Sequence, residues 1–382
     1  MTAVWYRLLD QKADWIIYVT DAGQGPHFDL VFDTARGAGW ADNKRLDHTP
    51  FGVVQRINHS LIATYDAKAI DGAFTEGNSA SAKLISKVEQ ELNALGQQAS
   101  NKKMVTDAKS QIKLSTKEDG TGVLEVSDVG NLENSGAGLA YLEALGGKDQ
   151  SAAGLRGAPS SVEANDKIEK YKTRSGETVR LVDLLDEAVS RMERSFSEKD
   201  EEAAAKGVES KGKLAEHERA AAAKVMGYAA VKYADLKGHR TSDYVFSYDR
   251  MLDKKGNTAV YLLYASSRVN SLLRSAREEK GIDIAELISS GVRVNLVHEN
   301  ELALGKAMLR FHEKVELSLR ELTPSTLCDF MYELCGLTSK FWATCKVLGQ
   351  PEQNERLLLV AALDRVLRKG FSLIGIGYLE KI

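Results

Sequence analysis

No apolar run in the 382 residues approaches the length of about 18 that a membrane span needs. The opening "MTAVWYRLLDQKADW" likewise lacks a charged n-region followed by a long apolar stretch, so an intracellular protein is expected. A strong excess of charge of one sign is also missing: the formal net charge is −3, with 43% apolar and 27% charged residues, so nothing in the overall composition forces a fibrous, disordered or membrane class. Cysteine is scarce. Cys328, Cys335 and Cys345 are an odd number within eighteen residues, which suits a reducing compartment and argues against a disulfide framework. Cys328 and Cys335 stand seven apart and share a helix face, so a core role is expected. No histidine sits among them at ligand spacing, and no metal site is expected.

The length allows two or three domains. Residues 4–13 read as the end of a helix, and Asp14–Thr20, "DWIIYVT", as a buried strand closed by the turn "DAGQGP". A helix follows in "HFDLVFDTARGAGW", with Phe28, Leu30, Val31, Ala35 and Ala38 near helical spacing and Gly37 and Gly39 closing it. "RLDHTPFGVVQ" reads as a second strand. Strand, helix, strand is a βαβ unit of a parallel sheet, whose ligands bind at the carboxyl ends of the strands. That rim carries "DAGQGPH" and "FGVV".

From Arg56 to Asp166 aromatics nearly vanish and Gly, Ala, Ser, Asn and Gln dominate. The short patterns there are a helix in "SAKLISKVEQELNALG", a strand in "TGVLEVSDVG" and a helix in "AGLAYLEALGG". The segment reads as a loosely folded or mostly disordered insertion, because little apolar area offsets chain entropy. Order resumes at Ile168. A helix with Leu181, Leu184, Leu185 and Val189 on one side leads into a charged, Ala-rich connection, Lys199–Ala223, read as solvated. From Lys224 to Ile382 apolar residues recur at three and four, the pattern of a helical bundle.

Three stretches carry chemistry on physical grounds. "YKTRSGE" combines Lys172, Arg174 and Gly176 in a loop whose cations and backbone N–H groups suit a triphosphate, although alone it also reads as a solvated turn. Gln24 offers an acceptor to a guanidinium fork, or caps the following helix. Tyr261, Tyr264 and Arg268 stand at i, i+3 and i+7, one helical face able to stack unpaired bases or to line a bundle core. Residues 224–382 hold 23 Lys plus Arg against 19 Asp plus Glu, a sign that fits phosphate contact.

Six blocks in order, "DWIIYVTDAGQGPHFDLVFDTARGAGW", "FGVVQ", "YKTRSGETVRLVDLLDEA", "AAVKYADLKGHRTSDYVFSYDRML", "GNTAVYLLYASSRVNSLLR" and "RLLLVAALDRVLRKGFSLIGIGYLEKI", resemble arginyl-tRNA synthetase, a class I aminoacyl-tRNA synthetase. The blocks span residues 3–55 and 168–382. The resemblance implies a partial Rossmann-like α/β catalytic domain (1–55), an insertion (56–167), the end of the catalytic domain with its helical connection (168–223) and an all-α anticodon-binding bundle (224–382). It implies a ligase that joins arginine to its tRNA with ATP and Mg²⁺, in the cytoplasm or an organelle, with no membrane partner, as a monomer or within a multi-synthetase assembly. Lys172, Thr173, Arg174, Ser175 and Gly176 then stand where the family's Lys-Met-Ser-Lys-Ser loop closes on ATP. Gln24 would contact arginine, with His27 either positioning it or packing at the helix start. His48, Phe51, Gly52 and Val53 would lie under adenine, and Tyr261, Tyr264 and Arg268 would receive the anticodon loop.

Three features depart from the family pattern, one of them the insertion of about 110 residues just before the signature loop. No His-Ile-Gly-His-type motif is present, since "KGHR" at Lys237–Arg240 sits at the start of the helical part, so the chain alone is expected to be inactive. Relatives end in Arg-Met where this chain ends Lys381-Ile382. The alternative is a non-catalytic tRNA-binding or scaffold protein derived from a synthetase.

Overall fold

The computed structural model describes residues 1–58, 61–65, 111–116, 122–127, 161–164, 167–170, 180–205 and 214–382. They fall into two units, one of residues 1–53 and 172–382, the other of residues 54–171.

In the first unit a short helix α1 (Thr2–Trp5) continues into a π turn, Tyr6–Asp10, and the chain then enters β1 (Trp15–Asp21). The Asp21 carboxylate accepts from the Gly23 N–H at 2.8 Å and starts a 3₁₀ turn, Ala22–Gln24. That turn feeds α2 (Gly25–Gly37), where Pro26 occupies the first turn, a place whose N–H would have no helical partner. Gly39, at φ +72°, reverses the chain toward β2 (Arg45–Phe51). β1 and β2 pair in parallel from Trp15 opposite Arg45 to Asp21 opposite Phe51, the expected βαβ unit. Its core is Val4, Leu8, Ile16, Phe28, Phe32, Ala35, Ala41 and Leu46. Two readings need correction. The buried stripe of α2 is Phe28, Phe32 and Ala35, while Leu30 is 70% exposed. "RLDHTPFGVVQ" is not one strand, because β2 ends at Phe51.

The helices of this unit are α3 (Leu181–Ala205), α4 (Glu216–Leu236), α5 (Tyr248–Leu252), α6 (Ala259–Lys280), α7 (Ile284–Ser289), α8 (Glu299–Leu309), α9 (Phe311–Glu321), α10 (Pro324–Thr344) and α11 (Gln353–Leu373). One apolar core runs through them, from Ala188, Met192 and Phe196 on α3 to Leu363, Leu367 and Phe371 on α11. Cap chemistry sets the ends of α6. The Thr258 hydroxyl accepts from the Tyr261 N–H at 3.1 Å, and Gly281 at φ +66° takes the left-handed turn past the last residue.

The Ala-rich stretch read as a solvated connection is mostly exposed where it is described, and it packs only at its end. α3 and α4 run antiparallel, tied by the Arg219–Asp200 ion pair, and Ala222 and Ala223 are buried. A Cβ on Gly227 would stand 2.8 Å from the Val189 nitrogen and 2.9 Å from the Ala188 carbonyl carbon, so the two backbones meet at van der Waals distance. Gly227→Ala is expected to lower stability by about 1–3 kcal/mol through overpacking, read as a lower urea midpoint. An unchanged midpoint would mean that α3 and α4 are not in backbone contact.

In the second unit β3 (Val54–Asn58) pairs antiparallel with β8 (Lys167–Lys170). β4 (Leu61–Tyr65), β5 (Gln111–Thr116), β6 (Gly122–Ser127) and β7 (Ser161–Ala164) form an antiparallel sheet in the order β5-β6-β4-β7, with Leu124 buried. The strand expected in "TGVLEVSDVG" is β6. The helices expected in "SAKLISKVEQELNALG" and "AGLAYLEALGG" lie outside the described residues.

Candidate nucleotide rim and nucleic-acid face

At the carboxyl ends of β1 and β2, Gln24 ends the 3₁₀ turn and is exposed, and so is His27 in the first turn of α2. The His27 ring meets Phe28 edge-on at 5.4 Å. His48 is held more firmly. Its ring stacks on Phe28 at 4.9 Å, and its Nε2 shares a hydrogen bond with the Thr20 hydroxyl at 2.9 Å. The opposite edge of the imidazole faces Gly25 and a cavity of about 560 Å³ along the flank of α2, lined also by Asp29, Asp33, Arg36, Asp47 and Pro50. Of the rim residues singled out in the sequence, His48 alone lines this cavity; Gln24, His27, Phe51, Gly52 and Val53 do not. Asp29, Asp33 and Arg36 were missed, since a helix face at i, i+4 and i+7 gives no sign of facing a cavity rather than solvent.

The end of β2 is crossed by residues 240–244. The Gly52 N–H donates to the Arg240 carbonyl at 2.7 Å, the Val53 N–H to the Asp243 carboxylate at 2.6 Å, and the Val53 carbonyl accepts from the Tyr244 N–H at 3.3 Å. A Cβ on Gly52 would lie 2.4 Å from the Ser242 carbonyl oxygen. Glycine is therefore needed here for the approach of another backbone. The Arg240 guanidinium adds bonds to the carbonyls of Pro50 and, at the turn between α9 and α10, Leu322, which ties β2 to the helices. Phe51 remains 45% exposed. Lys172, Thr173, Arg174, Ser175 and Gly176 lie outside the described residues.

On α6 the three expected positions differ in setting. Arg268 is exposed. Tyr261 is half-buried, with its hydroxyl 3.4 Å from that of Ser339 and its ring edge-on to Tyr332 of α10 at 5.5 Å. Tyr332 is 37% exposed and widens the aromatic surface; its partnership with Tyr261 crosses two helices and has no sequence signal. Tyr264 instead turns toward α3, where the Lys199 ammonium stands 5.5 Å from its ring centre. Its hydroxyl is buried without a partner among the described residues, and burial pushes its pKa up. Tyr264→Phe is therefore expected to leave the melting temperature unchanged or to raise it, because the lost hydroxyl makes no bond. A clear drop would show that the hydroxyl has a partner.

Nucleophilic cysteine chemistry is disfavoured here. Burial pushes both the Cys328 and Cys335 thiols up to about 12, which keeps them protonated at neutral pH. Among the described residues no group of acidic, His and Cys side chains could hold a metal, and no helix is long and apolar enough to cross a membrane.

Two family profiles match the chain. The one for tRNA synthetases class I (R), catalytic domain, covers residues 1–130 and 161–248, and the one for the DALR anticodon binding domain covers residues 262–382. The catalytic match also takes in residues 56–130 and 161–167, part of the stretch read as an insertion. The chloroplastic/mitochondrial arginine–tRNA ligase of Arabidopsis thaliana is 34% identical over 389 residues, which take in 100% of this chain and 41% of the relative. The cytoplasmic arginine–tRNA ligase of Rattus norvegicus is also 34% identical, over 392 residues, with 100% and 41% covered. An arginyl-tRNA synthetase structure from Plasmodium falciparum superposes with a TM-score of 0.59 at 22% identity over 100% of this chain and 43% of that one, and so shows the shared fold. The chain spans less than half the length of these relatives. With the catalytic profile matching more than half of its residues and the anticodon-binding profile taking its helical end, the chain belongs to the tRNA synthetases of class I (R).

Proposed function

We propose that the chain supplies the anticodon-reading surface and part of the nucleotide rim of an ATP-dependent arginine–tRNA ligase. In that reaction the arginine carboxylate attacks the α-phosphorus of MgATP and pyrophosphate leaves; a terminal ribose hydroxyl of the tRNA then takes the arginyl group and AMP leaves. Little covalent work falls to the protein, so its side chains position the reactants and offset charge. Gln24 would accept from the guanidinium of arginine at the exposed turn after β1, with His27 beside it. His48, fixed by Phe28 and Thr20, and the exposed Phe51 would flank adenosine, with Gly52 and Val53 behind them. An adenine edge reading the Val53 peptide would have to share its N–H with Asp243. Lys172, Thr173, Arg174, Ser175 and Gly176 would close over the phosphates.

The observation that carries the reading is the α6 and α10 surface. Tyr261 and Tyr332 form an aromatic pair with exposed edges, and the exposed cation Arg268 stands about two turns along α6 from Tyr261 on the same face. Unpaired bases stack on such rings, and the cation meets phosphate. Tyr264 lies to the α3 side, with the Lys199 ammonium 5.5 Å from its ring centre. Arginine–tRNA ligases among the relatives are named as cytoplasmic and as chloroplastic/mitochondrial, and we propose one of these two settings for this chain.

The test is binding of the purified chain to a fluorescent arginine-tRNA anticodon stem-loop across a salt series. Tyr261→Ala is expected to weaken binding about tenfold, and Arg268→Ala to reduce the salt slope by about one. Weak, salt-insensitive binding that neither change affects would sink the proposal. Anticodon-specific binding without ATP–pyrophosphate exchange, even when the rest of a synthetase is added, would favour the non-catalytic tRNA-binding reading.

A further inference from the structure

Asn257, just before the cap of α6, is pinned from three sides. The hydroxyl of Tyr233 on α4, a fully buried side chain, donates to the Asn257 Oδ1 at 2.6 Å and shares its proton with the Cys328 carbonyl at 3.0 Å. The Lys237 ammonium donates to the Asn257 carbonyl at 2.7 Å. The next residue, Thr258, closes the loop by donating its hydroxyl to the Asp253 carbonyl at 2.6 Å. The Asn257 side chain also bonds Asp329 of α10. With Oδ1 taken by a donor, the group that serves the Asp329 carboxylate is Nδ2.

Asp329 is exposed, yet burial against this junction pushes its pKa up, against the pull of the Asn257 bond. A carboxylate has about four acceptor sites, and one amide N–H fills one of them. The others meet no donor among the described residues.

This polar pair has a set place beside the aromatic one. Asp329 precedes Tyr332 by three residues on α10, so both lie on one face. Asn257 precedes Tyr261 by four residues, and Arg268 follows Tyr261 by seven. Two cross-links, Asn257 to Asp329 and Tyr261 to Tyr332 at 5.5 Å, make α6 and α10 run in the same direction where they meet. Acceptor, aromatic pair and cation therefore follow one another along α6, with about 10 Å of helix between Tyr261 and Arg268. A pair that only tied the loop to α10 would need no unfilled acceptor; this one presents several about one helical turn from a stacking surface.

We propose that Asp329, oriented by Asn257, reads the pairing edge of a base stacked on the Tyr261–Tyr332 pair, accepting from its amino group, while Arg268 meets the backbone at the other end. The bases it favours carry an amino N–H on that edge, since a carbonyl there would set acceptor against acceptor. A carboxylate also repels phosphate, and its place at the end away from Arg268 keeps it clear of the backbone. Asp329 is thus a specificity residue of the anticodon-reading surface, and the inference rests on that reading.

The probes are the fluorescent arginine-tRNA anticodon stem-loop and copies in which each amino-bearing anticodon base is replaced in turn by a counterpart without the amino group, cytidine by uridine and guanosine by inosine. With the full chain, one replacement is expected to weaken binding about tenfold or more. In Asp329→Asn, whose amide offers both a donor and an acceptor, that position is expected to become indifferent, with the melting temperature and the effect of Tyr261→Ala unchanged. Asp329→Glu is expected to keep part of the discrimination. Discrimination that survives Asp329→Asn, an equal loss for every probe, or a parent indifferent to every replacement would overturn the proposal. In each of these cases the loop still binds, so the anticodon reading stands; a parent that binds no probe would end both.

Discussion

Arg356→Met is expected to lower the stability of the helical part by about 3–5 kcal/mol at neutral pH, the cost of leaving one charge of a buried pair alone. Glu301 is 2% exposed. Its carboxylate accepts from Arg356 Nε at 2.6 Å and from the Val297 and His298 N–H groups at 2.9 and 3.0 Å, while Arg356 Nη1 donates to the Lys346 carbonyl at 2.7 Å. One carboxylate thereby starts α8, as the third residue of a capping box with His298, and joins that helix to α11. Burial alone would raise the Glu301 pKa, but the Arg356 bond and the two N–H bonds outweigh it and hold the group below its ordinary value.

The sign of the pH dependence follows. A carboxyl with a depressed folded pKa contributes stability above its unfolded pKa, and that contribution is lost as pH falls through the folded value. The unmodified protein should weaken in acid at this pair. Without Arg356 the carboxyl loses its side-chain and charge partner, so its pKa rises, and the variant's deficit is largest at neutral pH and narrows as Glu301 protonates. Urea denaturation at pH 7 and pH 4 reads both. Glu301→Gln together with Arg356→Met should recover part of the loss, because no uncompensated charge remains. A deficit independent of pH would show that Arg356 acts by packing alone.

Local signals explain what the sequence reveals of this fold. β1, α2 and β2 are legible because the β-branched and aromatic run 14–20, the turn after it and the glycines 37 and 39 each act within a few residues. The helical end is legible from apolar spacing. What escapes depends on partners distant in sequence. Ala222, Ala223 and Gly227 look the same in a solvated helix as in one pressed against another backbone, since small residues suit both. The exposure of Leu30 is set by which flank of α2 meets β1, and hydropathy alone ranks it with Phe32. At the candidate sites, i and i+7 spacing places Tyr261 and Arg268 together, whereas the turn of Tyr264 toward Lys199 and the contact of Tyr261 with Tyr332 are fixed by helix packing. The break of "FGVV" at Gly52 is imposed by residues about 190 positions later.

That break yields the second large effect. Gly52→Ala is expected to cost about 3 kcal/mol, at the upper end of overpacking penalties, because what the new methyl meets cannot move cheaply. It would stand 2.4 Å from the Ser242 oxygen, 2.5 Å from its carbonyl carbon and 2.9 Å from the Asp243 nitrogen, all backbone. Relief requires residues 240–243 to retreat from β2, and the retreat stretches the Gly52–Arg240 and Val53–Asp243 bonds, whose donors would be left unpaired. Gly52 has no positive φ, so the penalty is steric and not conformational. Two roles for the glycine are then separable. If it serves the junction between β2 and the helices, the variant melts earlier without any nucleotide present, and the amides of Gly52 and Val53 exchange faster. If it serves only to let adenine approach, stability is unchanged and ATP affinity alone falls. The 2.4 Å approach to Ser242 predicts the first outcome, and a Gly52→Ala protein as stable as the parent would refute it.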